Sequence, residues 1–92
     1  MAKFKFLGSY RDHVTNGEVI LDGNRTVGES LAAIADQHTM LKKTLYMDGT
    51  GTLHKYVVVI VNDDQVGFLD DGLDTRLSKQ DVVKVLPPVS GG

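Results

Sequence analysis

A chain of 92 residues is long enough for one hydrophobic core and too short for the usual two-domain division. It carries 10 Lys and Arg against 12 Asp and Glu, is 41% hydrophobic and has no cysteine, which excludes disulfides, thiolate catalysis and cysteine-ligated zinc or iron–sulfur clusters. A formal charge of −2 without a basic stripe argues against a nucleic-acid partner. No apolar run is long enough to span a bilayer, and the opening MAKFKFLG lacks the apolar core of a signal peptide, so a cytoplasmic protein without a membrane partner is expected.

Residues 3–7 alternate charged and aromatic side chains, which places Phe4 and Phe6 on one face of a strand and Lys3 and Lys5 on the other. Asn16-Gly17 offers a turn that tolerates positive φ, and a second strand over 18–21 stops at Asp22-Gly23-Asn24. The two strands are expected to pair as a hairpin with a long connection. Thr26-Val27-Gly28-Glu29 has the spacing of a capping box. The helix it opens repeats apolar residues at Val27, Leu31, Ile34, Ala35 and His38, and should end near Thr39. Residues 40–46 can form another helical turn before the loop signals of 48–52. The β-branched run 56–61 is the pattern of a strand at the middle of a sheet. Turns at Asn62-Asp63-Asp64 and Asp70-Asp71-Gly72 bracket a short strand over 66–69, and residues 81–86 supply the last strand. Phe4, Phe6, Leu31, Ile34, Val58 and Ile60 are the expected core. This order predicts an α+β domain over 1–86, a mixed sheet wrapped around one main helix, followed by a projecting tail over 87–92.

That tail, Pro87-Pro88-Val89-Ser90-Gly91-Gly92, cannot extend a sheet, because neither proline has an N–H for the ladder. The prolines stiffen its base. The glycines, lacking Cβ, let the backbone pass through a narrow channel and expose the last carbonyl. Six extended residues reach roughly 20 Å, enough to place a carboxylate in a partner's active site while the folded body stays outside. Other chemistry is thinly signalled. His13, His38 and His54 are not at metal-ligand spacing. Asp63, Asp64, Asp70, Asp71 and Asp74 lack the spacing of a calcium loop and read as solvated turns or an acidic docking face. Gly49 and Gly51 do not make a phosphate loop, and no serine stands in a nucleophile motif.

The segment 77–83 leading into Leu86-Pro87-Pro88-Val89-Ser90-Gly91-Gly92, with Val61-Asn62 and the helix start Thr26-Val27-Gly28-Glu29-Ser30-Leu31, resembles the MoaD-like small subunit of molybdopterin synthase, a ubiquitin-like sulfur carrier family. Gln80 stands where that family has Gly before the Asp. The resemblance implies a β-grasp fold and a cycle in which a ubiquitin-activating-type (MoeB-like) adenylyltransferase uses ATP to adenylate the Gly92 carboxylate, after which sulfur replaces AMP. A carboxylate needs such activation, because it is a poor acyl donor until one oxygen becomes a good leaving group. The resulting thiocarboxylate, with Gly91 beside it, would enter the large synthase subunit (MoaE-like) and give its sulfur to molybdopterin, the molybdenum or tungsten cofactor. The chain would then be a co-substrate without catalytic side chains, cofactor or metal of its own. Leu7, Phe68 and Leu86, followed by Pro87, Pro88, Val89 and Ser90, are the expected partner contacts. The alternative is a protein modifier joined through Gly92 to lysines, or a sulfur carrier for another thiolation pathway.

Overall fold

The computed structural model describes residues 2–21, 25–47, 51–78 and 80–87, and the side chain of Phe68 lies outside that description. The strands are β1 (Ala2–Phe6), β2 (Glu18–Leu21), β3 (Val58–Val61), β4 (Asp64–Gln65) and β5 (Val82–Leu86); the helices are α1 (Val27–Asp36) and α2 (Thr39–Leu45). They form one five-stranded sheet in the order β2-β1-β5-β3-β4. β1 and β5 run parallel, and the other neighbours are antiparallel. A mixed sheet laid against one main helix is the β-grasp arrangement expected from the order of elements. Among the described residues, no helix is long and apolar enough to cross a membrane.

Strand β1 alternates as read: Ala2, Phe4 and Phe6 are buried and Lys3 and Lys5 face outward. β2 pairs with it as a hairpin. The connection is two short 3-10 turns, which bury Tyr10 and Val14 and close through left-handed Asn16 and Gly17. α1 opens on both halves of the capping box: Glu29 N–H donates to Thr26 Oγ1 at 3.1 Å, and Thr26 N–H to Glu29 Oε1 at 2.9 Å. Val27, Leu31, Ile34 and Ala35 pack on the sheet with Phe4, Phe6, Val83 and Val85.

Several boundaries differ from the sequence reading. α1 stops at Asp36, because His38 leaves helical geometry (φ −135°, ψ 87°). Its Nδ1 instead lies 2.8 Å from the carbonyl oxygen of Ile34. The expected helical turn over 40–46 is a second helix, α2, that runs from Thr39 to Leu45 with Leu41 and Leu45 buried four positions apart, Tyr46 following it in extended geometry. Tyr56 and Val57 stand outside β3, Tyr56 being exposed and stacked on His54 with ring centroids 4.7 Å apart. Within β3 the buried residues are Val59 and Val61, so Val58 and Ile60 face the open side of the sheet instead of the core. The middle strand is β5, because its parallel pairing with β1 moves β3 one place outward. Residues 66–68 form a 3-10 turn, and the edge strand is the two-residue β4 just before it. Asp81 precedes β5 as a clasp. Its carboxylate accepts from Ser78 N–H at 2.7 Å and Asn62 Nδ2 at 3.1 Å, tying the start of β5 to the turn after β3. The turn sequence Asp22-Gly23-Asn24, and Asp48-Gly49-Thr50 of the predicted loop, lie outside the described residues.

Candidate functional site

Because β1 and β5 are parallel, their C-terminal ends lie at the same edge of the sheet. Leu7 follows β1 there, and its N–H donates to the Val85 carbonyl at 3.0 Å, continuing the ladder by one bond. Leu86 closes β5 on the outward face opposite Val58. Both leucines are half-buried, as is Pro87. The predicted contacts Leu7, Leu86 and Pro87 are thus gathered at one end of the two central strands. The 3-10 turn that contains Phe68 belongs to the same end: Val66 and Gly67 share a surface depression with Val57, Val58 and Val59. Pro88, Val89, Ser90, Gly91 and Gly92 lie outside the described residues.

Gly8 is a site residue that the sequence reading passed over. It sits at φ +60°, and a Cβ built on it would lie 2.7 Å from Pro87 Cγ and 3.0 Å from Cδ. Glycine is required twice here, for the left-handed backbone and for the close approach of the proline ring. The contact fixes where the chain leaves β5. A glycine directly after a strand was the available signal, but its partner is remote in sequence.

Leu7, Gly8, Leu86 and Pro87 form an apolar frame at this end of the sheet. Elsewhere, the Asp81 carboxyl is held below the ordinary carboxylate range by the Ser78 backbone N–H and then by the Asn62 side chain. Glu29 is lowered chiefly by its backbone bond at Thr26. Burial pushes the Tyr10 and Tyr46 phenols up. Among the described residues, no three His, Asp or Glu side chains converge as metal ligands would.

The profile of the ThiS family matches residues 4–92. Small archaeal modifier protein 3 of Haloferax volcanii is 33% identical over 92 residues, covering 98% of this chain and 97% of that protein. Sulfur carrier protein CysO of Mycobacterium tuberculosis is 31% identical over 84 residues, covering 89% and 88%. Among solved structures, small archaeal modifier protein 1 of Methanosarcina acetivorans superposes with a TM-score of 0.85 at 26% identity, covering 99% of this chain and 95% of that one. A chain of the Amycolatopsis orientalis BexX/CysO complex gives 0.78 at 28%, with all of both chains covered. A chain described as molybdopterin converting factor subunit 1 from Pyrococcus furiosus gives 0.69 at 25%, covering 96% and 97%. These matches run through the helix, the sheet and the C-terminal segment together, and the chain belongs to the ThiS family of ubiquitin-like β-grasp sulfur carriers.

Proposed function

We propose that Gly92 is the working residue: a ubiquitin-activating-type adenylyltransferase converts its carboxylate to an acyl-adenylate, and sulfur then displaces AMP to leave a thiocarboxylate. The observation that carries this reading is the junction at Pro87, where two parallel strands end together and Gly8 makes room for the ring, with Gly91-Gly92 following five residues on in the sequence. In the balanced reaction, a carboxylate oxygen attacks the α-phosphorus of ATP and pyrophosphate leaves. A sulfur nucleophile then adds to the acyl carbon, and the C–O bond to AMP breaks. The partner supplies the nucleotide site, and this chain supplies the acyl group and the surface that presents it. Leu7, Phe68 and Leu86 form the apolar contact at the tail's base, and Pro87, Pro88, Val89 and Ser90 the segment that is threaded.

The destination of the sulfur is the pterin precursor of molybdopterin, delivered in the active site of a large synthase subunit. The Pro-Pro-Val-Ser-Gly-Gly ending and the likeness to the Pyrococcus converting-factor chain support this. A second reading is favoured by the modifier protein of Haloferax, the same adenylate being passed to a lysine amine. The test is incubation with the activating enzyme, ATP and a sulfur donor, followed by intact-protein and C-terminal peptide mass spectrometry. Replacement of one oxygen by sulfur at Gly92 is expected. Pterin dithiolene formation with a large synthase subunit separates the first destination from the second, which would instead leave isopeptide-linked adducts in cells.

A further inference from the structure

The two edges of the sheet are finished differently. One edge is β4, two exposed residues, Asp64 and Gln65, followed at once by a 3-10 turn. An edge strand that is short and polar does not recruit another strand. The other edge is β2, Glu18-Val19-Ile20-Leu21, which contains neither proline nor lysine. The register fixes which of its backbone groups are unused. Lys3 N–H donates to the Asp81 carbonyl and Leu7 N–H to the Val85 carbonyl, so the odd-numbered residues of β1 turn toward β5. Ala2 and Phe4 therefore bond to Leu21 and Val19 on β2, and the N–H and C=O of Ile20, between these two, point away from the sheet. Among the described residues neither group has a partner. Glu18 differs, because its N–H is already given to the Thr15 carbonyl. The side chains at this edge are also incompletely covered. Ile20 is 54% exposed on the open face, and Val19 and Leu21, which pack against the core from the helix side, are only half-buried.

We infer that β2 is a self-pairing edge: two copies of the chain join antiparallel about a two-fold axis at Ile20, making one continuous sheet out of two five-stranded ones. A residue with both outward backbone groups free exchanges two hydrogen bonds with another of the same kind, and the second copy's Ile20 is one. This register sets Val19 opposite Leu21 of the second copy and Leu21 opposite its Val19. The half-buried apolar residues of the helix side then cover each other, and the core runs on across the join. On the open face Ile20 meets Ile20. An axis at Glu18 would set two carboxylates side by side, and an axis at Val19 would pair Ile20 with Glu18, whose N–H is taken. The run Val19-Ile20-Leu21 is thus its own complement, which selects a second copy over a foreign strand. Three residue pairs bury less than the roughly 1,200–2,000 Å² of a lasting interface, so the dimer forms and parts with concentration. The two-fold reverses β1 and β5, and Pro87 of the two copies stands at opposite ends of the joined sheet. The pairing depends on no chemistry at Gly92.

The chain has no cysteine, so a single introduced one reports a contact by itself. Hydrogen-bonded antiparallel partners hold their Cα atoms about 5.5 Å apart, within the span of a disulfide. Mild oxidation of Ile20→Cys should therefore give a covalent dimer about tenfold or more faster than Glu18→Cys, whose two copies lie roughly 14 Å apart along the strands. The parent chain is followed by sedimentation velocity and amide hydrogen exchange over a wide range of concentration. Sedimentation should shift from monomer toward dimer and exchange at the Ile20 amide should slow with it, while Phe4, already bonded within the chain, exchanges at a constant rate. Ile20→Lys should weaken self-association by about tenfold or more. Its melting temperature at low concentration should stay near the parent's, since Ile20 is 54% exposed, so the loss is not a folding defect. A parent chain that sediments as a monomer at every concentration overturns the inference, as does equal cross-linking of the two cysteine variants. A dimer that survives Ile20→Lys, with the parent's Ile20 amide unprotected, places the contact on another surface and overturns it too. So does an Ile20 amide that slows only when the activating enzyme is added, which assigns the edge to that protein.

Discussion

Substituting Gly8 by alanine tests how the tail's exit is built. An L residue at φ +60° costs about 1–2 kcal/mol over the right-handed region. The new methyl group would also lie 2.7 Å from Pro87 Cγ, whereas carbon atoms rest at roughly 3.5–4.0 Å. The proline ring must therefore retreat by about 1 Å, or the sheet must absorb a strain of about 1–3 kcal/mol typical of overpacking. If Pro87 yields, the stability loss is the backbone part, a fall in melting temperature of about 4–8 °C per kcal/mol for a domain of this size, and the tail leaves in a new direction. If it does not yield, the two costs add. Thermal denaturation reads the sum, and ATP–pyrophosphate exchange with the activating enzyme reads the displacement as a raised KM. Adding Pro87→Ala to Gly8→Ala removes Cγ and Cδ, and should recover the clash but not the backbone cost. A Gly8→Ala chain with unchanged melting temperature and unchanged KM would refute the reasoning.

Leu31→Ala, in the middle of α1 and fully buried, should lower unfolding free energy by about 2–5 kcal/mol in chemical denaturation; a loss under about 0.5 kcal/mol would contradict the packing of this helix face. The Asp81 clasp should contribute an acid limb to stability. Its folded-state pKa is depressed, so the stabilisation is complete above the ordinary carboxylate value of 3.8 and is lost as pH falls below it toward the lowered one. Asp81→Ala should therefore flatten the melting-temperature profile below about pH 4, and an unchanged profile would remove the clasp from the account. Leu7→Asp, at the half-buried edge beside the tail, should weaken binding of the activating enzyme while circular dichroism stays that of the parent; undiminished affinity would take Leu7 out of the contact.

What could be read from the chain was what is local. The capping box is written within four residues, and both of its hydrogen bonds form. The Lys-Phe-Lys-Phe alternation states its own two faces, and β1 follows it. In the run Val57-Val58-Val59-Ile60-Val61 every residue is apolar, so the faces are set by pairing with β5 and could not be assigned beforehand. Helix α2 has no side-chain cap to announce it; Leu41 and Leu45 make it helical by what they bury. Residues 66–69 have strand-like composition, but the pairing with β3 stops at Gln65 and the chain turns at once into a 3-10 helix. At the site, Leu7, Leu86 and Pro87 were legible as strand ends. Gly8 was not, because its contact with Pro87 depends on the parallel register that joins opposite ends of the sequence.

The central claim is that the terminal acyl group of Gly92 is the reacting centre and that the folded body only presents it. The direct measurement compares the full chain with one lacking Gly92, each incubated with activating enzyme, ATP and sulfur donor and weighed intact. Gly92 has no side chain to bury, so both chains are expected to show the same melting curve. The full chain should gain one sulfur in place of one oxygen, confined to its C-terminal peptide, and the shortened chain should stay unmodified. Equal sulfur incorporation in the two chains, or sulfur found on any other peptide, would contradict the account.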